Sequence, residues 1–182
     1  MKTGKKIIAV AVALALVAGS GAMAAVLYNQ PFDGTGNAYA SQNDTAGLGN
    51  FATVYDNFTL GAASNISNVM FTGEYFNPPT QGPITAFTVQ FYADAAGQPG
   101  ASLASFNLAG TAGETFIGNF NGFPTYTYSF DLAGNFMAAA ATQYWMSVVP
   151  DLVVPPQRGG GGGPGGGSPP SQDFLGGGAP GA

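Results

Sequence analysis

In the stretch AFTVQFYA, residues 86 to 93, apolar and polar side chains alternate. Phe87, Val89 and Phe91 fall on one side of an extended chain, and Thr88, Gln90 and Tyr92 fall on the other. A period of two is the signature of a strand with one covered face. PTYTYSFDL repeats it, with Tyr126, Tyr128, Phe130 and Leu132 set against Thr125, Thr127, Ser129 and Asp131. The same reading places Phe58 and Leu60 of YDNFTL, Val69, Phe71 and Tyr75 of ISNVMFTGEYF, and Ala104, Phe106 and Leu108 of LASFNLAG on covered faces. In QYWMSVV it places Tyr144, Met146 and Val148 inward, which turns Trp145 and Ser147 the other way. TFIGNF is a shorter strand. Gly73 marks a bulge or a close approach.

Turn residues fall between these runs. AAGQPGAS reverses the chain through Gly97, Pro99 and Gly100, and NGFP does so at residues 121 to 124. Proline supplies the fixed φ of a turn and glycine tolerates a positive one. One segment reads differently: the alanines of NFMAAAAT, residues 135 to 142, favour a helical turn. Short strands with turn signals at roughly ten-residue spacing predict an all-β fold, an antiparallel two-sheet β-sandwich of jelly-roll-like type.

The ends of the chain follow other rules. Lys2, Lys5 and Lys6, the apolar run of residues 7 to 18, and Ala22 and Ala24 in A-x-A positions have the order of a secretory signal peptide. Cleavage is expected after Ala24, which predicts an exported protein, secreted or held in the cell envelope, with no membrane span left. Residues 25–157 form the predicted sandwich domain. Residues 159–182 hold 12 Gly and 4 Pro in 24 positions. Glycine loses much entropy on ordering and offers no apolar area in return, so residues 158–182 are expected to be a disordered, low-complexity tail.

Cleavage would leave Arg158 as the single cation against nine acids, a net charge of −8. Such a surface gives a phosphate backbone no footing, which excludes nucleic acid as a partner. The chain has no cysteine and no histidine. Disulfides, thiol catalysis, serine–histidine triads and histidine- or cysteine-bound zinc are therefore outside its chemistry.

Three constellations remain. Glu74 and Glu114 are the only glutamates, Asp56, Asp94 and Asp131 are the other candidates in the domain, and paired carboxylates across a cleft would suit glycoside hydrolysis. Solvated strand or loop acids account for them more simply. Asp33, Asn37 and Asp44 place oxygen ligands in or near the Gly-rich loop DGTGN, suited either to calcium or to Asx turns, with the turns favoured. Trp145 is the only tryptophan and stands beside Tyr144. The pair could stack on a sugar ring, although a tryptophan in a sandwich more often belongs to its core.

FYADAAGQPGASLASFNLAG, YTYSFDL and AAATQYWMSVVPD, with YNQPFDGTGNAYAS and YDNFTL upstream, resemble the exported bacterial β-sandwich proteins of the PEP-CTERM group and the related choice-of-anchor domains. The resemblance covers most of residues 26–157. It implies a non-catalytic module with a structural or adhesive role in the envelope or extracellular matrix. Extracellular polysaccharide or envelope components are the implied partners. The alternative functions are a carbohydrate-binding module using exposed aromatics and, behind it, a carboxylate-dependent glycosidase. The chain departs from the pattern after PPQ. SQDFLG survives at residues 171–176, but no Pro-Glu-Pro motif, apolar helix or arginine cluster follows. The expectation is a degenerate or truncated final segment, with no closing strand.

Overall fold

The computed structural model describes residues 25–32, 34, 39–47, 51–75, 84–111, 113–152 and 172–176. The described residues are all-β. The strands are β1 (Ala25–Gln30), β2 (Asn43–Asp44), β3 (Tyr55–Thr59), β4 (Ser64–Glu74), β5 (Ile84–Asp94), β6 (Pro99–Ala109), β7 (Thr115–Phe120), β8 (Phe123–Ala138), β9 (Gln143–Leu152) and β10 (Gln172–Gly176). Two sheets pack together. The first has the order β1-β10-β4-β8-β7. The second has the order β2-β9-β5-β6, with β3 also pairing along β9. Every pairing is antiparallel except the short contact of β2 with β9.

The inward faces are the apolar faces of the alternating runs. Phe87, Val89 and Phe91 of β5 and Ile66, Val69 and Phe71 of β4 are buried. They meet across the interface as rings. Phe91 stacks on Phe136 with centroids 4.3 Å apart and planes 7° from parallel. Phe87 contacts Phe71 at 5.3 Å, Tyr128 at 5.0 Å and Phe130 at 5.2 Å. Each buried phenylalanine contributes roughly 1.5–3 kcal/mol by leaving water. The offset and edge-on ring geometries add to that.

Two turns follow their residues. Asn121 and Gly122 both have positive φ, 50° and 88°, between the paired Phe120 and Phe123. A two-residue hairpin needs that backbone to match the strand twist. Gly73 is a close-approach site rather than a bulge. A Cβ there would stand 3.2 Å from the Tyr128 ring, while the register break of β4 lies between Ile66 and Asn68.

Two expectations are corrected. Asn135–Ala138 is strand, the end of β8, and not a helical turn. Phe136 pairs with Ile66 and Ala138 with Ser64, and both Phe136 and Ala138 are buried. Alternating burial outweighs the helical preference of alanine, which is weak by comparison. The tail also contains a strand. Gln172–Gly176 is β10, antiparallel to β1 on one side and to β4 on the other. Two flanking strands supply the backbone partners that its own composition would not attract. The rest of the tail lies outside the described residues, as does the expected signal peptide.

One acid sits on the apolar side. Asp56 follows the alternation of Phe58 and Leu60 and is 7% exposed. Its Oδ1 accepts from the Asn57 N–H at 2.9 Å, while Oδ2 is buried without a hydrogen-bond partner. Burial raises its pKa above the ordinary 3.8 and the Asn57 N–H offsets part of the rise. A raised folded pKa means that Asp56 lowers stability as pH climbs from 3.8 through the folded value.

Asp56→Asn is therefore expected to stabilise the protein at pH 7 by about 1 kcal/mol. The gain over wild type should shrink as pH falls toward 3.8, read as paired thermal melts across pH. Phe91→Ala should cost about 3–5 kcal/mol, from lost burial and the cavity beside Phe136, read by denaturant unfolding.

Candidate functional site

The outer face of the second sheet carries aromatic rings and polar groups together. Strand register arranges them in rows. Asn57 of β3, Trp145 of β9, Tyr92 of β5 and Ser102 of β6 are successive cross-strand partners. Beside them run Tyr55, Ser147, Gln90 and Ser105. Directly opposite residues on adjacent strands share a face, so these rows form one surface about four strands, or roughly 14 Å, wide.

Hydrogen bonds hold the rings. The Trp145 Nε1–H donates to Asp94 Oδ1 at 2.8 Å, and Gln143 Nε2 donates to the same oxygen at 2.9 Å. The Gly97 N–H reaches both Asp94 oxygens at 3.2 Å. Gly97 has φ of +81°, a conformation that glycine adopts at no steric cost. Asp94 thus ties the turn between β5 and β6 to the start of β9. Its carboxyl is held below the usual carboxylate range, first by Trp145 and then by Gly97, with desolvation opposing them and Gln143 adding the smallest lowering. Tyr92 Oη and Ser147 Oγ are 3.1 Å apart. Tyr55 meets the Tyr92 ring edge-on at 5.4 Å. Gln90 Nε2 donates to Ser102 Oγ at 2.6 Å.

Trp145 and Tyr144 do not form one platform. Adjacent residues in a strand face opposite sides. Trp145 is half-buried on the outer face and outside the core, which corrects the core reading of it. Tyr144 points inward, stacked on Phe58 at 5.7 Å and edge-on to Phe136 at 5.3 Å. The residues that do accompany Trp145 are Tyr92, Asp94, Gln143 and Tyr55. Alternation alone placed Tyr92 opposite the core. The cross-strand register that brings it to Trp145 was not readable locally.

Glu74 and Glu114 serve opposite faces of the first sheet. Tyr75 Oη and Tyr128 Oη donate to Glu114 Oε2 at 2.8 and 2.9 Å, on the core side. Glu74 precedes Tyr75 and faces the other way, where Thr125 Oγ1 donates to its Oε1 at 3.2 Å. A sheet therefore stands between the two carboxyl groups, and they do not flank a common cleft. Burial pushes Tyr75 up to about 12 and raises Tyr128 further, with Glu114 adding to both.

Asp44 is buried, and its Oδ1 accepts from the Ala46 N–H at 2.8 Å, the geometry of an Asx turn. Asp33 and Asn37 lie outside the described residues. Among the described residues no group of three or more acids gathers as a metal cage would require. Around Asp44, side chains clip the segment to β9. Ser41 Oγ donates to the Val148 carbonyl at 2.6 Å, Asn43 Nδ2 to Asp151 Oδ1 at 2.6 Å, and Thr45 Oγ1 to the Leu152 carbonyl at 2.9 Å.

Trp145 is the only indole, so tryptophan emission reports this face alone. Asp94→Ala should shift that emission at neutral pH. In wild type the contact should persist below the ordinary carboxyl pKa of 3.8 and be lost as pH falls through the depressed folded value. The acid transition in emission should be absent from Asp94→Ala, measured as a fluorescence pH titration. No protein-family model, curated protein or solved structure matches the chain.

Proposed function

We propose that the protein is an exported, non-catalytic β-sandwich of jelly-roll-like type, with a structural or adhesive role in the cell envelope or extracellular matrix. The PEP-CTERM and choice-of-anchor resemblance supplies the setting. The observation that carries the non-catalytic part is how the carboxylates are used. Asp94 fastens a turn to a neighbouring strand, Glu114 receives two tyrosine hydroxyls, and Asp131 Oδ1 accepts from Asn68 Nδ2 at 2.9 Å. These are structural engagements. The two glutamates are divided by a sheet.

A carbohydrate-binding role is the second reading. It is favoured by the outer face that holds Trp145, Tyr92 and Tyr55. The first sheet offers no equivalent at its β4–β8 centre, where Asn68, Ser129 and Asp131 carry no ring.

The adhesive reading predicts that the native protein fractionates with envelope or matrix material and releases no reducing sugar from polysaccharides. Glu74→Gln and Glu114→Gln should leave that fractionation unchanged. Polysaccharide hydrolysis abolished by either substitution would overturn the reading, as would recovery of all the protein free in the medium.

A further inference from the structure

The outer face of the second sheet has the chemistry of a defined ligand class. We infer that Trp145, Tyr92 and Tyr55, with Asn57, Gln143 and Gln90 around them, bind an extended neutral polysaccharide. The inference rests on the adhesive reading above and names its partner.

Ring composition is the first argument. The CH-rich face of a pyranose is apolar and its rim is hydroxyl. It is matched by an aromatic face bordered by amides and hydroxyls. Trp145 and Tyr92 are direct cross-strand partners, and Tyr55 touches Tyr92. Asn57 and Gln90 stand on either side, and both belong to the same face by register. Tyr55 and Tyr92 lean together with centroids 5.4 Å apart, while the row Asn57, Trp145, Tyr92 and Ser102 crosses three strand spacings, roughly 14 Å, which suits a run of sugar rings rather than one.

Preorganisation is the second. Trp145 is held by Asp94, and Tyr92 by Ser147. Rings fixed before the ligand arrives lose less conformational entropy on binding. Asp94 is accordingly a positioning residue, acting through the indole.

Charge is the third argument and selects the class. The chain has four cations, Lys2, Lys5, Lys6 and Arg158, and none is among the described residues. A uronate or sulfated glycan would find no positive group among the described residues and would be repelled by Asp94. Asp94 is itself engaged by three neutral donors, and the rings, amides and hydroxyls around it carry no charge. The surface that remains suits an uncharged chain.

The test is binding of the full-length exported protein to insoluble neutral polysaccharides of several linkages, beside polyuronates, together with tryptophan emission during titration with soluble neutral oligosaccharides. Retention on at least one neutral polymer and none on polyuronates is expected, with a saturable change in emission. Trp145→Ala should weaken retention at least about tenfold, and Tyr92→Ala should weaken it as well. Both variants would be compared with wild type by thermal melting. Should either fail to fold, the emission titration of wild type still decides. No retention on any neutral polymer, equal retention on polyuronates, or undiminished binding by folded Trp145→Ala would overturn the inference. Matrix association that persists without glycan binding would remove the inference and leave the adhesive reading. Loss of both would remove the reading itself.

Discussion

The contact between Phe91 and Phe136 joins the centre of one sheet to the other, and the remaining structure is arranged about that interface. Both rings are buried, nearly parallel and 4.3 Å apart. Around them Phe87, Phe71, Tyr128 and Phe130 fill the gap between β5 on one side and β4 and β8 on the other. With no cysteine available, no covalent bridge holds the layers. Ring burial has to supply the cohesion, and it fixes which side of each strand faces outward. The surface carrying Trp145 is a consequence of that constraint.

Carboxylates provide the secondary fixtures. Asp94, Asp44 and Asp131 each accept from a neighbouring backbone or amide group, and Glu114 gathers two phenols at the rim of the core. Asp56 is the exception. It stands at an inward position of β3 with one oxygen unpartnered.

Much of the fold was legible because a strand's covered face repeats every second residue. Phe87, Val89 and Phe91, or Phe58 and Leu60, declare their side without reference to any neighbour. Asn121-Gly122 likewise declares a hairpin. Register is a different kind of information. The bond from Trp145 to Asp94 joins residues 51 apart, and no local pattern encodes it. Asp94 was visible only as one acid among several, and Tyr144 was paired with Trp145 by adjacency when the pleat separates them. Ala138 and its neighbours misled for a related reason. Their intrinsic preference is helical, while the burial of Phe136 and Ala138 against β4 is set from outside. Gln172–Gly176 was obscured by the glycine around it, and its strand character depends on β1 and β4.

The position of β9 bears on the order in which the molecule is assembled. β2 and β3 find their sheet partner there, and Ser41 bonds to Val148 across 107 residues. During vectorial synthesis, the N-terminal third emerges long before the strand that receives it. Pairings of such sequence separation are slow to form, because loop closure precedes any stabilising contact. The second sheet stays incomplete until Gln143–Leu152 appears. A polypeptide ordered in this way delays its own closure until most of its length has been made.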